Sequence, residues 1–364
     1  MAIAVGSRGV ADIAVITREA AGLVKSRGGA PFIVPAMGSH GGATAEGQKE
    51  VLEQLGVTEA FTGAPILSSM EVAEVGRLPN GLPVYTDKHA YEADKVIVIN
   101  RIKPHTAFRG PVESGLMKMI TIGLGKQKGA EAAHAYSFKY MAEHVPEMAK
   151  AVLSKVPVIF GLGILENAYD RTAKIAAVPA EKLEEAEPQL LLEAKALMPK
   201  LLLDPIDVLV VDEIGKDISG DGMDPNITGR YATPYASGGP EIARIVVLGL
   251  TDKTHGNANG LGMADVTTRE AFEAIDWEKK GYANALTSTV MSVVKVPMFL
   301  DTAELAVKAA IKTCNAFDLH HVRLVRIHNT LHLKEIWISE SLLPEAKDRK
   351  YIEILSEPSS VVKW

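Results

Sequence analysis

Apolar residues fall into two patterns along the chain. Some form short unbroken runs, and others recur three and four apart, the marks of buried strands and amphipathic helices. Residues 2–6 are an apolar run that ends in GSRG and reads as a strand entering a loop. In 11–25, Ile13, Val15, Ile16, Ala20, Leu23 and Val24 recur close to helical spacing. PFIVPAM at 31–37 is a second strand, GSHGGAT follows, and Thr44 is placed to cap a helix running to about residue 55. Strand, helix, strand, loop, helix is a βαβ-like order, whose functional loops belong at the carboxyl ends of its strands.

Residues 57–94 hold short β-like pieces around Pro79-Asn80-Gly81, a hairpin signal. KVIVIN at 95–100 is a buried-strand pattern, and 117–124 reads as another apolar strand, with a helical turn as the alternative. Residues 130–153 are helical in pattern, broken or kinked around Pro146, and VPVIFGLGI at 156–164 is a further core strand. A Glu-, Leu- and Ala-rich helix over 180–203, interrupted by Pro188 and Pro199, reads as a connector between domains. Strands follow at 207–212 and 243–250, a helix at 303–313, and strand-like runs at 322–327 and 333–338. The pattern predicts an α/β fold of two domains, 1–200 and 205–364, with the active site in the cleft between them.

Composition narrows the classes of function. The 364 residues exceed what one core usually serves, and 47% hydrophobic with 23% charged residues is ordinary for a globular protein. A net charge of −6 without a basic run or stripe argues against nucleic acid as a partner. Cys314 stands alone, so no intrachain disulfide forms and a reducing cytoplasm suits the chain. No apolar run reaches membrane-spanning length, and neither an internal repeat nor a low-complexity tract is visible. The sequence leaves assembly into a homo-oligomer open.

Candidate chemistry gathers in 100–134, NRIKPHTAFRGPVESGLMKMITIGLGKQKGAEAAH. His105 follows Pro104 among Arg101, Lys103 and Arg109; those cations depress an imidazole pKa, giving a base near neutral pH or simply a solvated basic loop. Lys118 interrupts an apolar run, as either a nucleophile that has lost its charge or a lysine on an exposed edge. Gly123, Gly125 and Gly129 before a helix make a loosened dinucleotide fingerprint. With Lys126 and Lys128 they describe a phosphate turn better than an NAD site. His134 lies on the following helix, and without HExxH or CxxC no conventional zinc site is indicated.

Upstream, His40 in Gly38-Ser39-His40-Gly41-Gly42 sits between a strand and a helix N-terminus, where it either meets a ligand or points to water. Arg8 and Lys216 lie beyond strand ends and can hold a carboxylate or be plain loop cations. Asp217, Asp221 and Asp224 lack EF-hand spacing, and His320, His321, His328 and His332 read as structural.

Taken in order, Arg8, GSHGG at 38–42, KPHTAFRG at 103–110, Lys118 and His134 resemble the lactate racemase family that uses a nickel-pincer nucleotide. The phrases NRIKPHTAFRG, ESGLMKMITIGLGK and NTLHLKEIW look like a branch of that family of undetermined substrate. The resemblance implies a racemase or epimerase of a small 2-hydroxy acid working by hydride transfer. It makes Lys118 the covalent attachment point of the nucleotide, His134 the nickel ligand, His40 and His105 the two catalytic bases, and Arg8 and Lys216 contacts to substrate or cofactor. Dedicated biosynthetic enzymes are implied as partners, so protein made without them is expected to be apo.

The match has departures. Val5 stands where lactate racemases place an acid, Gly41 stands where they place an arginine, and the segment from His105 to Lys118 is longer. The chain also begins close to the arginine motif, so a segment that precedes it in the family is expected to be missing. These departures bear on which 2-hydroxy acid is used and leave the hydride chemistry in place. Two alternatives remain beside this reading: an NAD-dependent oxidoreductase built on 123–129, and a non-catalytic binding protein for an anionic small molecule.

Overall fold

A computed structural model describes residues 1–7, 9–277 and 281–359. The chain divides into two compact units, Met1–Met198 and Pro199–Trp364.

The first unit contains strands β1 (Ala2–Val5), β2 (Phe32–Pro35), β3 (Val72–Arg77), β4 (Pro83–Asp87), β5 (Val96–Arg101), β6 (Val158–Glu166) and β7 (Thr172–Pro179). Its principal helices are α1 (Ile13–Ser26), α2 (Ala45–Gln54), the single turn α3 (Leu116–Lys118), α4 (Lys126–His134), α5 (Met141–Leu153) and α6 (Leu183–Leu197). The main sheet runs β2-β1-β5-β6-β7, parallel except for β7. The unbroken apolar runs of β1 and β5 are buried on both faces, as a parallel sheet requires. α1 turns Ile13, Ile16, Ala20 and Val24 onto Ile3, Ile33 and Ile97.

Because β2, β1, β5 and β6 are parallel, their carboxyl ends share one edge. The loops leaving that edge include Gly6 and Ser7 after β1, Met37 to His40 after β2, and Ile102 to His105 after β5. β1 lies between β2 and β5, so the His40 and His105 loops start about 10 Å apart, two strand spacings.

Several local expectations hold. Thr44 caps α2 by accepting Gly47 N–H (3.0 Å), and β3 and β4 pair antiparallel around the Pro79-Asn80-Gly81 turn. Others are corrected. The 117–124 run is helical: α3 leads into a π-turn over Met119–Gly123, where Leu124 N–H reaches Met119 C=O (2.8 Å). Leu116, Met117, Met119 and Ile120 are all buried, and periodicity alone cannot separate a helix apolar all round from a core strand.

The helix does not break at Pro146, which sits inside α5. The break falls at Ser137, which takes a φ of 61° between α4 and α5. The helix read as a connector is also not one. α6 belongs to the first unit, buries Leu183, Glu187, Leu190, Leu191 and Ala194, and ends at Leu197 as Met198 turns extended before Pro199. Of 333–338, only Trp337–Ile338 is strand.

The second unit has one six-stranded sheet in the order β11-β10-β9-β8-β12-β13. These strands are β8 (Ile206–Ile214), β9 (Ile242–Leu250), β10 (Val266–Thr268), β11 (Met298–Leu300), β12 (Leu324–Ile327) and β13 (Trp337–Ile338), all parallel but the last. Helix α7 (Ala303–Thr313) packs Ala306, Val307 and Ala310 on Val208, Val210 and Val246. Both units are α/β. No helix among the described residues is long and apolar enough to cross a membrane.

Candidate active site

His105 is fixed by its own loop. Lys103 and Ser114 exchange backbone hydrogen bonds (2.8 and 3.2 Å), closing residues 103–114 into a pinched loop. Inside it, Ala107 N–H donates to His105 Nδ1 (3.0 Å), and His105 N–H donates to Glu113 Oε2 (2.7 Å). The ring packs on Phe108 and Phe138, with centroids at 4.6 and 5.7 Å. Its Nε2 lies 2.8 Å from Lys118 Nζ. With Nδ1 accepting from Ala107, the proton of a neutral ring sits on Nε2, the nitrogen that faces the lysine.

Burial first, then the charges of Lys118, His134, Lys103 and Arg109, holds the His105 pKa well below the ordinary histidine value. Of the cations named from sequence Lys103 and Arg109 contribute, while Arg101 pairs with Glu166, and desolvation is the larger cause.

His134 ends α4. Its Nδ1–H donates to Ala130 C=O one turn back (2.7 Å), which leaves Nε2 with a lone pair, the state a metal-binding imidazole needs. Burial lowers its pKa, with Lys118 adding to the effect and the Ala130 bond opposing it. The ring meets Phe138 edge-on at 5.2 Å, so His105 and His134 share one aromatic neighbour. The fold thus gathers His105, His134 and Lys118 in one place.

His40 leaves β2 on the neighbouring loop, where its Nδ1 and Ser7 Oγ form a short hydrogen bond. Gln48 of α2 holds that loop from below, donating from Nε2 to Gly38 C=O (2.8 Å) and His40 C=O (3.3 Å). Gln48 Oε1 in turn accepts from Lys126 Nζ (3.0 Å).

That last bond corrects the phosphate turn. Lys126 is fully buried, its ammonium 3.2 Å from Asp87 Oδ2 and donating to Pro35 C=O. Gly125 serves close packing: a Cβ there would stand 2.4 Å from Thr121 C=O and 2.8 Å from Gly129 Cα. Gly129 faces Tyr85 of β4. The turn therefore docks α4 against β4, and its lysine props the His40 loop from inside. Lys126→Met should leave Asp87 as an uncompensated buried charge and cost about 3–5 kcal/mol in urea unfolding, with Asp87→Asn restoring part of the loss. Equal stability of Lys126→Met and the parent would refute this role.

Arg8 lies outside the described residues. Lys216, in the second unit, donates from Nζ to Gly220 C=O within its own loop and from its backbone N–H to Thr254 Oγ1 (3.1 Å). Asp217 accepts from Thr251 (2.6 Å) and Asp224 caps a short helical turn through Asn226 N–H (2.9 Å). His321 pairs with Asp318 (2.7 Å) and His328 with Glu213 (3.1 Å).

Two site-supporting residues escaped the sequence reading. Glu113 is buried and accepts from His105 N–H, Arg109 and Lys195. Glu187 of α6 is buried and accepts Met117 N–H (2.9 Å) at the start of the lysine-bearing helix. Nothing in their local sequence marks either one: Glu187 acts across 70 residues, and Glu113 ties His105 and Arg109 of its own loop to Lys195, 82 residues away.

Burial pushes the Glu187 pKa up to about 7 from 4.5. A carboxyl whose folded value is raised contributes stability that is complete below its unfolded value and disappears as pH rises through the folded one. Raising the pH from 4.5 to 8 is thus expected to remove up to roughly 3 kcal/mol through this residue. Glu187→Gln should flatten the pH dependence of the urea midpoint over that window, and superimposable profiles would contradict the assignment.

A two-unit α/β protein with an imidazole–amine pair and a second imidazole beside it defines the class. The comparisons then add a match to a family model and two likenesses of fold. Residues 16–145 match the family model for the lactate racemase N-terminal domain. The fold is similar to the lactate racemase apoprotein from Thermoanaerobacterium thermosaccharolyticum, at 11% identity and a TM-score of 0.51 over 91% of this chain and 85% of that one. It is also similar to a structural-genomics protein from Thermotoga maritima, at 14% identity and a TM-score of 0.52 over 84% of this chain and 80% of that one. Among curated proteins no sequence matches. The family-model match lies within the first unit, and the resemblance read from the motifs stands.

Proposed function

We propose that the protein is a cytoplasmic racemase or epimerase of a small 2-hydroxy acid that carries a nickel-pincer nucleotide on Lys118. The observation that supports this best is the 2.8 Å contact of Lys118 Nζ with His105 Nε2, beside a His134 whose Nε2 keeps its lone pair. Among the described residues, no group of three or more His, Cys, Asp or Glu can hold a bare metal ion. One amine and one imidazole fit a group that brings its remaining donors with it.

When bound, the nucleotide supplies an acceptor for the hydrogen on the substrate's Cα. The chain supplies the rest. Lys118 forms the covalent link through its amine, and His134 Nε2 is the protein's donor to nickel. His105, neutral near pH 7, takes or returns the hydroxyl proton on one side, and His40, oriented by Ser7, does so on the other. Two bases are required because the enantiomers lose their Cα hydrogen from opposite faces of a common planar 2-keto acid, so that with this hydrogen directed to one acceptor their hydroxyls point to opposite sides of the site. Arg8 and Lys216 are assigned to the substrate carboxylate or the cofactor. Gly125, Lys126 and Gly129 are assigned the support of the His40 and His134 segments.

The test is peptide mass spectrometry after co-expression with the nucleotide's biosynthetic enzymes. The Lys118 peptide should carry the added mass; protein that interconverts enantiomers with Lys118 unmodified would reject the reading.

A further inference from the structure

We propose that α6 fixes the spacing of Lys118 and His105 through two buried carboxylates, Glu187 and Glu113, which are positioning residues of the site. The proposal rests on Lys118 and His105 being the working pair.

The first strut is Glu187. From α6 its Oε2 accepts Met117 N–H (2.9 Å), the residue before Lys118, at the open N-terminus of α3. Contact is close enough that a Cβ on Gly115 would stand 2.0 Å from Glu187 Oε1, so Gly115 leaves room for the carboxylate. No side chain of α3 itself caps that end.

The second strut starts two turns further along the same helix. Lys195 donates to Glu113 Oε1 (2.7 Å), and the other oxygen, Oε2, accepts His105 N–H (2.7 Å) and Arg109 Nη1 (3.2 Å). Arg109 Nη1 also reaches His105 C=O (2.6 Å), so the backbone of His105 is held at both its N–H and its carbonyl. Glu113 is buried while Lys195 is partly exposed, which makes the lysine the point where α6 holds the strut.

One rigid helix therefore holds both partners of the 2.8 Å contact, in segments that are otherwise a single helical turn and a pinched loop. Neither carboxylate touches the reacting groups. Each acts through the backbone of the residue it places.

The test uses the full chain without cofactor. It reads the titration midpoint of the His105 ring by NMR and the acetylation of Lys118 by acetic anhydride relative to exposed lysines. Lys195→Met should raise the His105 midpoint toward the ordinary histidine value, because the buried setting and the Lys118 contact that depress it are loosened. Glu187→Leu should change the Lys118 acetylation ratio by a factor of about ten. Glu187→Gln, which keeps an oxygen for Met117 N–H, should hold both readouts near the parent values.

A merely structural role lowers the melting temperature and leaves both readouts unmoved; that result in Lys195→Met and Glu187→Leu would overturn the proposal. Should Glu187→Leu fail to fold, Lys195→Met decides alone. No substrate or cofactor enters these measurements. A Lys118 that never gains mass on co-expression would therefore sink the functional reading without changing this outcome.

Discussion

Lys118→Arg protein, co-expressed with the enzymes that make the nucleotide, is expected to keep its fold, emerge at the mass of the bare chain, and interconvert no 2-hydroxy acid above background. Arginine preserves length and positive charge, but its guanidinium stays protonated and has no amine lone pair with which to form the link. The change is mild for the fold. Lys118 is half-buried at the end of α3, and the apolar neighbours Leu116, Met117, Met119 and Ile120 keep their contacts, so stability should move by about 1 kcal/mol or less. Loss of both mass and turnover with an unchanged urea midpoint isolates the amine as the cause. Wild-type rates in the arginine variant would show that the lysine is not the tether, and added mass on another peptide would relocate it.

The layered fold was legible because its strands are short, apolar and regularly interrupted. β1, β2, β5, β6, β8 and β9 all fall where unbroken runs predicted them. The βαβ-like opening told which end of each strand to watch, and the parallel order then puts the His40 and His105 loops on one edge. What failed were the places where pattern carries two meanings. A helix buried on all sides looks like a core strand, and 117–124 takes the helical alternative rather than the strand its pattern favours. A proline one and a half turns into a helix looks like a breaker, yet Pro146 and Pro188 both lie inside helices.

Among site residues, His105, Lys118 and His134 were visible as unusual residues within one short stretch, and the structure draws them together. Lys126 was visible for the wrong reason. A lysine in a glycine-rich turn suggests an anion, but its φ of 55° and its ion pair with Asp87 send it inward. Glu113 and Glu187 were invisible because a buried carboxylate in a surface-like run looks the same as a solvated one until its distant partners are known. Glu187 reaches Met117 across 70 residues, and Lys195 reaches Glu113 across 82.

The second large effect expected is a division of labour between His40 and His105. Either His40→Asn or His105→Asn should slow interconversion of enantiomers by about 10²–10⁴-fold, the usual worth of a positioned acid–base group, since a full passage uses both rings. The half-reactions should differ. With one imidazole left, the enantiomer whose hydroxyl faces it still yields 2-keto acid in a single turnover, while its mirror image does not. The other variant should show the opposite preference.

Their pH behaviour separates them further. A base works only when unprotonated, and the His105 pKa lies well below the ordinary histidine value through burial and its cationic neighbours. The half-reaction that depends on His105, measured in His40→Asn, should therefore hold its rate as pH falls through 6.5 and lose it only in more acidic solution. Single-turnover formation of 2-keto acid from each pure enantiomer, followed across pH in both variants, provides the measurement. If both variants favour the same enantiomer, the two rings do not serve opposite faces, and the pairing of His40 with His105 is wrong.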